Sequence, residues 1–353
     1  MTWLRAIVAA GLLAGLLLSP KLWLSDRVYP QTPVWSGLHP IPAPFDYVLY
    51  GALLLAVVAA AIKPDTTAIL LVLAAILVAF DQSRLQPWFF QYWFMLLVLS
   101  RSESENLCRL IVFSIYFWSG LQKLNSGFAA GAFPWLVEPL KIIPAWVGYA
   151  APFIEAGIAL ALLFRPTRRA AVLLAIAMHA AILLAIGPLG HNTNNVVWPW
   201  NITMAASAFL LFWRADFSAR ELFLPKQTLA CIVLILFTVA PALSFFGAYD
   251  NYLSWALYAG NKDDGDLYFS DAVYDKLPDT LQDYVTDEGP DRAGLNIGTW
   301  SFGELNVPAY PELRIYGQVH RSLCRYGDIT LEVERKSTLL GDRPKLTFTC
   351  ASH

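Results

Sequence analysis

Charge is scarce in this chain: Asp, Glu, Lys and Arg make up 15% of its 353 residues, against about 25% in a soluble domain. With 57% hydrophobic residues and a mean hydropathy of +0.48, that shortfall excludes an ordinary soluble protein and implies a polytopic membrane chain. No run of Lys or Arg occurs and the formal net charge is −2, so the basic face that nucleic acid requires is missing. Cysteine is rare as well. Its four copies include no Cys-x-x-Cys, which argues against thiol–disulfide catalysis by the chain alone. The first segment, 1–24, has Arg5 ahead of an apolar run but no small-x-small pattern after Ser19-Pro20-Lys21. It is therefore expected to be a retained span and not a cleaved signal.

What is present is a series of apolar stretches at 3–19, 46–62, 66–80, 88–100, 107–123, 146–164, 169–187, 196–213 and 226–246. These predict an all-α polytopic membrane helical bundle of about nine spans over 1–246. The third and fourth are short, and a re-entrant hairpin is the alternative for them. Arg5, Lys63, Arg101, Arg109, Arg165, Arg168, Arg169, Arg214, Arg220 and Lys226 fall on one side of such a bundle. That places the N-terminus in the cytoplasm, with a bacterial inner or plasma membrane as the expected location. Lys21, Arg27 and Lys141 dissent from long outer connections.

From Gly247 the composition becomes that of a soluble domain, and 247–353 is expected to form a small α+β extracytoplasmic cap. Helix-compatible spacing occupies 270–285 and 311–326, while 329–334 and 345–349 alternate as strands do. Cys324 and Cys350 fall in this cap, where an oxidising compartment permits a disulfide. Cys108 and Cys231 fall in spans, where they are expected to pack as small apolar residues.

The spans carry three ionisable groups that packing does not require. Lys123 ends an otherwise apolar run, Leu110 to Leu124, and Glu155 and His179 interrupt two later ones. Such groups cost roughly 2.5 to 3.5 kcal/mol to insert and are site candidates by default. At 1.5 Å rise per residue, Glu155 and His179 lie about 13 and 12 Å from the outer ends of consecutive antiparallel spans, a depth at which they could share a proton. Lys123 and the cluster His191-Asn192-Thr193-Asn194-Asn195 lie on the same outer side, and Trp198, Trp200 and Asn201 open the next span there. The bland readings are a snorkelling Lys123, a core His179 bonded to a carbonyl and a protonated structural Glu155. They also include interfacial Trp135, Trp198 and Trp200, a loop ion pair of Asp81 with Arg84, and a topology signal at Arg165 to Arg169. Independent snorkelling would scatter these groups over both faces, whereas all point to one outward-biased cavity.

Residues 116–133, YFWSGLQKLNSGFAAGAF, resemble the lysine segment of the vitamin K-dependent γ-carboxylase-like (HTTM) transmembrane family. Gly120, Lys123, Leu124, Asn125, Phe128 and Gly131 keep its spacing, with Asn for the family's Asp and Phe for its Trp. The segments around Glu155 and His179 look like the family's next pair of helices. The resemblance implies Lys123 as the base that deprotonates a reduced quinone, and a lysine kept partly from water can give up its proton as that role demands. The large lumenal region of the animal carboxylases is absent, so glutamate carboxylation is not carried over. The same helices also resemble the DoxX and MauE group of quinone-linked membrane proteins, which implies electron transfer between quinone and a thiol-bearing partner. A third, non-enzymatic reading is an assembly or maturation factor whose cap binds a secreted peptide or partner. The site residues expected are Lys123, Glu155 and His179 for proton handling, with Asn194, Asn195, Asn201, Trp198 and Trp200 holding a menaquinone-like quinone or hydroquinone. No metal is expected, and the bilayer is the expected partner.

Overall fold

A computed structural model describes residues 1–35, 37–101, 104–224 and 226–352. Among these, nine apolar helices occupy the nine expected stretches. They are α1 (Thr2–Leu18), α2 (Phe45–Ile62), α3 (Thr67–Phe80), α4 (Pro87–Leu99), α5 (Ser104–Gln122), α6 (Ala151–Leu163), α7 (Arg165–Ile186), α8 (Val197–Phe212) and α9 (Thr228–Phe246). Three of them, α2, α7 and α9, are long and apolar enough to cross a membrane. The 13 residues of α4 reach only about 20 Å at 1.5 Å each, short of a hydrocarbon core about 30 Å thick. Three crossings are therefore supported by length and composition, and the expected count of nine is not established.

The helices begin where the sequence supplies prolines that need no amide partner, at Pro87, Pro152 and Pro166. One extended residue, Phe164, separates α6 from α7. The Arg168 guanidinium donates to the carbonyls of Leu162 and Leu163 at 2.9 and 3.0 Å, satisfying oxygens that the end of α6 leaves free.

The chain forms two compact units. The first comprises Met1–Leu18, Leu54–Leu71 and Pro87–Asn261. Its hub is α5, buried along nearly its whole length and packed on α4, α6, α8 and α9. Leu55, Ile62, Ile69 and Leu173 point outward, as lipid-facing side chains do. Cys108 is buried as expected, while Cys231 on α9 is exposed.

The second unit takes in Ser19–Leu53, Val72–Gln86 and the chain from Lys262 onward. Its antiparallel sheet has the order β2-β3-β1-β4-β5, with β1 (Asp264–Phe269), β2 (Thr286–Asp287), β3 (Ala293–Asn296), β4 (Ile329–Glu334) and β5 (Leu346–Thr349). Both expected strands are present, as β4 and β5. The acidic stretch after Asn261 runs directly into β1, whose Leu267 and Phe269 are buried. Helices α10 (Ile297–Leu305) and α11 (Leu313–Leu323) complete the unit. The single helix expected at 270–285 is instead two short ones, Asp271–Tyr274 and Asp279–Gln282, because Pro278 keeps its predecessor out of helical geometry. A disulfide joins Cys324 to Cys350.

The expected loop pair of Asp81 and Arg84 is a buried knot. The Asp81 carboxylate pairs with Arg27, lies 3.8 Å from Arg84 Nε, and accepts from Thr32 Oγ1 and from the Thr32 and Ser83 amides at 3.0, 3.2 and 3.1 Å. Glu304 of α10 accepts from the Val28 and Tyr29 amides at 2.6 and 2.9 Å. The two early segments are thus fastened into the unit by carboxylates meeting backbone amides.

Candidate intramembrane site

Tyr116, Ser119 and Lys123 recur at intervals of three and four along α5 and its terminal turn, which puts them on one helix face. What brings a carboxylate against that face is Gly120. A Cβ there would lie 2.5 Å from the Ala156 nitrogen and 2.7 Å from the Pro152 oxygen, so the backbones of α5 and α6 meet where only glycine fits. Ala156 follows Glu155 in the chain. Lys123 Nζ accordingly donates to Glu155 Oε2 at 2.6 Å and to Ser119 Oγ at 2.6 Å. The Lys123 and Glu155 side chains are 13% and 14% exposed, which rules out a lysine snorkelling freely to the headgroups. Gly120→Val is expected to push α5 from α6, part this ion pair and cost about 1 to 3 kcal/mol of stability. Thermal unfolding in detergent measures it, and an unchanged midpoint would mean that the helices do not touch there.

Beyond the lysine the chain turns on Asn125. Its Oδ1 accepts from the Phe128 amide at 2.8 Å, while Nδ2 donates to the carbonyls of Gln122 and Ala259 at 2.9 and 2.8 Å. An aspartate could make the first bond but neither of the others. This gives a physical reason for Asn where the γ-carboxylase-like motif has Asp.

His179 of α7 completes a directed chain. Asn201 Nδ2 donates to the Val197 carbonyl at 2.8 Å, so its Oδ1 faces His179 Nδ1, also at 2.8 Å. That oxygen can only accept, so Nδ1 carries the proton. In the neutral ring Nε2 is then the acceptor, and the Tyr116 hydroxyl donates to it at 2.8 Å. The bland alternative of a histidine bonded to a backbone carbonyl does not describe this arrangement.

Both groups open onto one cavity of about 170 Å³ whose remaining wall is apolar, with Phe128, Phe133, Met178, Met204, Trp200 and Trp255 among its residues. Of the candidate residues, Lys123, Glu155, His179, Asn201 and Trp200 line it. The Trp200 indole is oriented by donating to Gln91 Oε1 at 2.6 Å. Three expected residues do not line it. Asn194 donates to the Tyr258 hydroxyl and so reaches the cavity only through Tyr258. Trp198 donates to the carbonyls of Ile186 and Thr193 at 3.2 and 3.1 Å, and Asn195 lies outside the lining. Trp198 thus serves the loop's own carbonyls, as irregular backbone away from water requires. The expected Glu155–His179 pair is not formed either. The carboxylate is taken by the opposite charge of Lys123, the stronger partner away from water.

Tyr116 and Ser119 were visible in the lysine segment but had no role there; their spacing from Lys123 is the signal that gives them one. Trp255 and Tyr258 come from the segment after α9, and both adopt positive φ, 65° and 55°. Gly260 beside them, at φ +70, would carry a Cβ only 2.3 Å from the Phe128 nitrogen. No periodic pattern announces such a wall.

Residues 93–196 match the family model of methylamine utilisation protein MauE. The MauE match takes in Tyr116, Ser119, Lys123, Glu155 and His179 and ends before Asn201. The match covers under a third of the chain and agrees with the second of the two resemblances; with the apolar helices it supports a membrane protein, and the γ-carboxylase-like resemblance receives no such match. No curated protein and no solved structure matches the chain. Outside the site, His320, Cys324 and Cys350 place ligand-type atoms within 4.8 Å of one another, but the two sulfurs are bonded to each other.

Proposed function

We propose that the chain is a quinone-linked thiol redox protein of the membrane, with its chemistry at the Lys123 cavity. The observation that carries this reading is the convergence, on one apolar pocket, of the Lys123–Glu155 pair and the Tyr116–His179–Asn201 chain. The fit to a quinone head is physical. A cavity near 150 Å³ admits benzene, so about 170 Å³ admits one ring, with phenol and ammonium donors at the wall for its oxygens. Chemistry supplied there by a bound quinone is two-electron, two-proton acceptance, the equivalents coming from two thiols of an external partner that close to a disulfide. This chain's residues hold and move the protons. Lys123 Nζ and Glu155 Oε2 exchange one across their short hydrogen bond. Tyr116 passes another to or from His179 Nε2, while Asn201 holds the ring's tautomer.

The γ-carboxylase-like reading uses the same lysine as base. The MauE match favours thiol redox over it. For the chain as a whole we place the N-terminus in the cytoplasm of a bacterial inner membrane and the C-terminal sheet outside it. A secreted thiol protein is then the natural partner. Protein purified from its native membrane is expected to release a quinone on solvent extraction and to rebind it more weakly as Lys123→Ala. Absence of quinone, with rebinding unchanged in that variant, overturns the proposal.

A further inference from the structure

A second cavity of about 390 Å³ lies between the start of α7 and the turn after α8, bordered by Arg165, Arg168, Arg169, Trp213, Arg214 and Asp216. Four guanidiniums against one carboxylate give it a strong positive bias. Arg168 is spent on structure. It donates to Leu162 and Leu163 on one side and to Ala215 and Phe217 on the other, at 2.9, 3.0, 2.7 and 3.3 Å, and so clamps the two walls at a fixed spacing. The other three are exposed. Arg165 meets Asp216 only at 3.9 Å with both side chains 82% exposed, a pair worth little in solvent. Arg169 lies 5.6 Å from the Trp213 ring centroid.

We propose that this cavity binds the phosphate headgroup of an anionic phospholipid. Arg165 and Arg169 stand four residues apart on one face of α7, and the next position on that stripe is Leu173, 57% exposed. Charge thus gives way to apolar surface along the face, which suits a ligand with a phosphate at one end and an acyl chain at the other. A soluble anion would have no use for the stripe. Phe164, directly before Arg165, is also exposed, at 59%. Basic pockets at the ends of membrane helices are where such headgroups settle, and guanidinium forks match phosphate oxygens two at a time.

The test uses the full-length chain in nanodiscs. Phosphatidylglycerol is expected to raise the unfolding midpoint where phosphatidylcholine does not, and to remain bound in native mass spectra. The triple variant R165Q/R169Q/R214Q is expected to bind it about 100-fold more weakly, with its midpoint in phosphatidylcholine nanodiscs unchanged because none of the three makes a buried hydrogen bond among the described residues. A charge-matched control, K63Q/R101Q/R220Q, keeps the binding. Equal loss in the control would mean diffuse surface attraction and overturn the site. So would equal stabilisation by phosphatidylcholine. Stabilisation by millimolar inorganic phosphate that matches the lipid's would assign the cavity to a free anion instead, and the lipid proposal would fall.

Discussion

Lys123→Met is expected to lower quinone-linked thiol oxidation about 100-fold to 10,000-fold, the range for losing a positioned acid or base. Methionine nearly fills the lysine's volume and keeps the pocket apolar, so the loss reports the amine and not a void. Glu155→Gln is expected to do the same, since the amide keeps an acceptor oxygen but loses the charge and the base that lie 2.6 Å from Nζ. If the two act as one unit, the double variant is little worse than either alone. The discriminating change is Lys123→Arg. Arginine restores an ion pair with Glu155 but does not surrender a proton in a protein. A purely structural pair predicts that Arg recovers both folding and turnover, whereas a proton-handling pair predicts recovered folding with turnover still lost. Stopped-flow quinone reduction with a dithiol donor measures this, thermal unfolding serving as the stability readout. Turnover in folded Lys123→Met within a few-fold of the parent removes the amine from the chemistry and leaves the assembly-factor reading.

That site was partly legible in the sequence because an ionisable residue in an apolar run is conspicuous whatever surrounds it. Lys123, Glu155 and His179 stood out one by one, and helix periodicity set their depth. Their pairing was not legible. Whether Glu155 meets Lys123 or His179 depends on how closely α5 and α6 approach, which Gly120 decides through a backbone contact that no spacing rule encodes. Tyr116 was hidden for the opposite reason, as one aromatic among several in an apolar helix, its hydroxyl distinguished only by His179 opposite. In the second unit β4 and β5 were read correctly from alternation. The early segments around Arg27, Thr32 and Asp81 were not assigned to it, because composition reports burial and not which distant strand a loop joins.

Asp81→Ala is expected to cost about 3 to 5 kcal/mol, the usual consequence of removing one partner from a buried ion pair. Arg27 and Arg84 would be left without a counter-charge in a site where Asp81 and Arg84 are 0% exposed, and the Thr32 and Ser83 amides without an acceptor. Burial already pulls the Arg84 guanidinium down to about 10, with Asp81 the largest influence holding it up. Without the carboxylate that desolvation stands unopposed. Asp81→Asn keeps an oxygen for the two amides and loses only the charge, so a smaller cost is expected. For Asp81 itself burial raises the pKa, but Arg27 and then Arg84 outweigh it and the folded value lies below the ordinary one. The unfolded chain, with Asp near 3.9, therefore takes up this proton first as acid is added. Stability from Asp81 is whole above about pH 4 and is lost as pH falls through the lower folded value. Urea unfolding of the full-length chain, followed by proteolysis between Leu24 and Gln31, reads the effect where the two early segments would detach. An Asp81→Ala chain that unfolds at the parent's urea concentration would require Arg27 and Arg84 to reach water, contrary to the enclosure of all three groups.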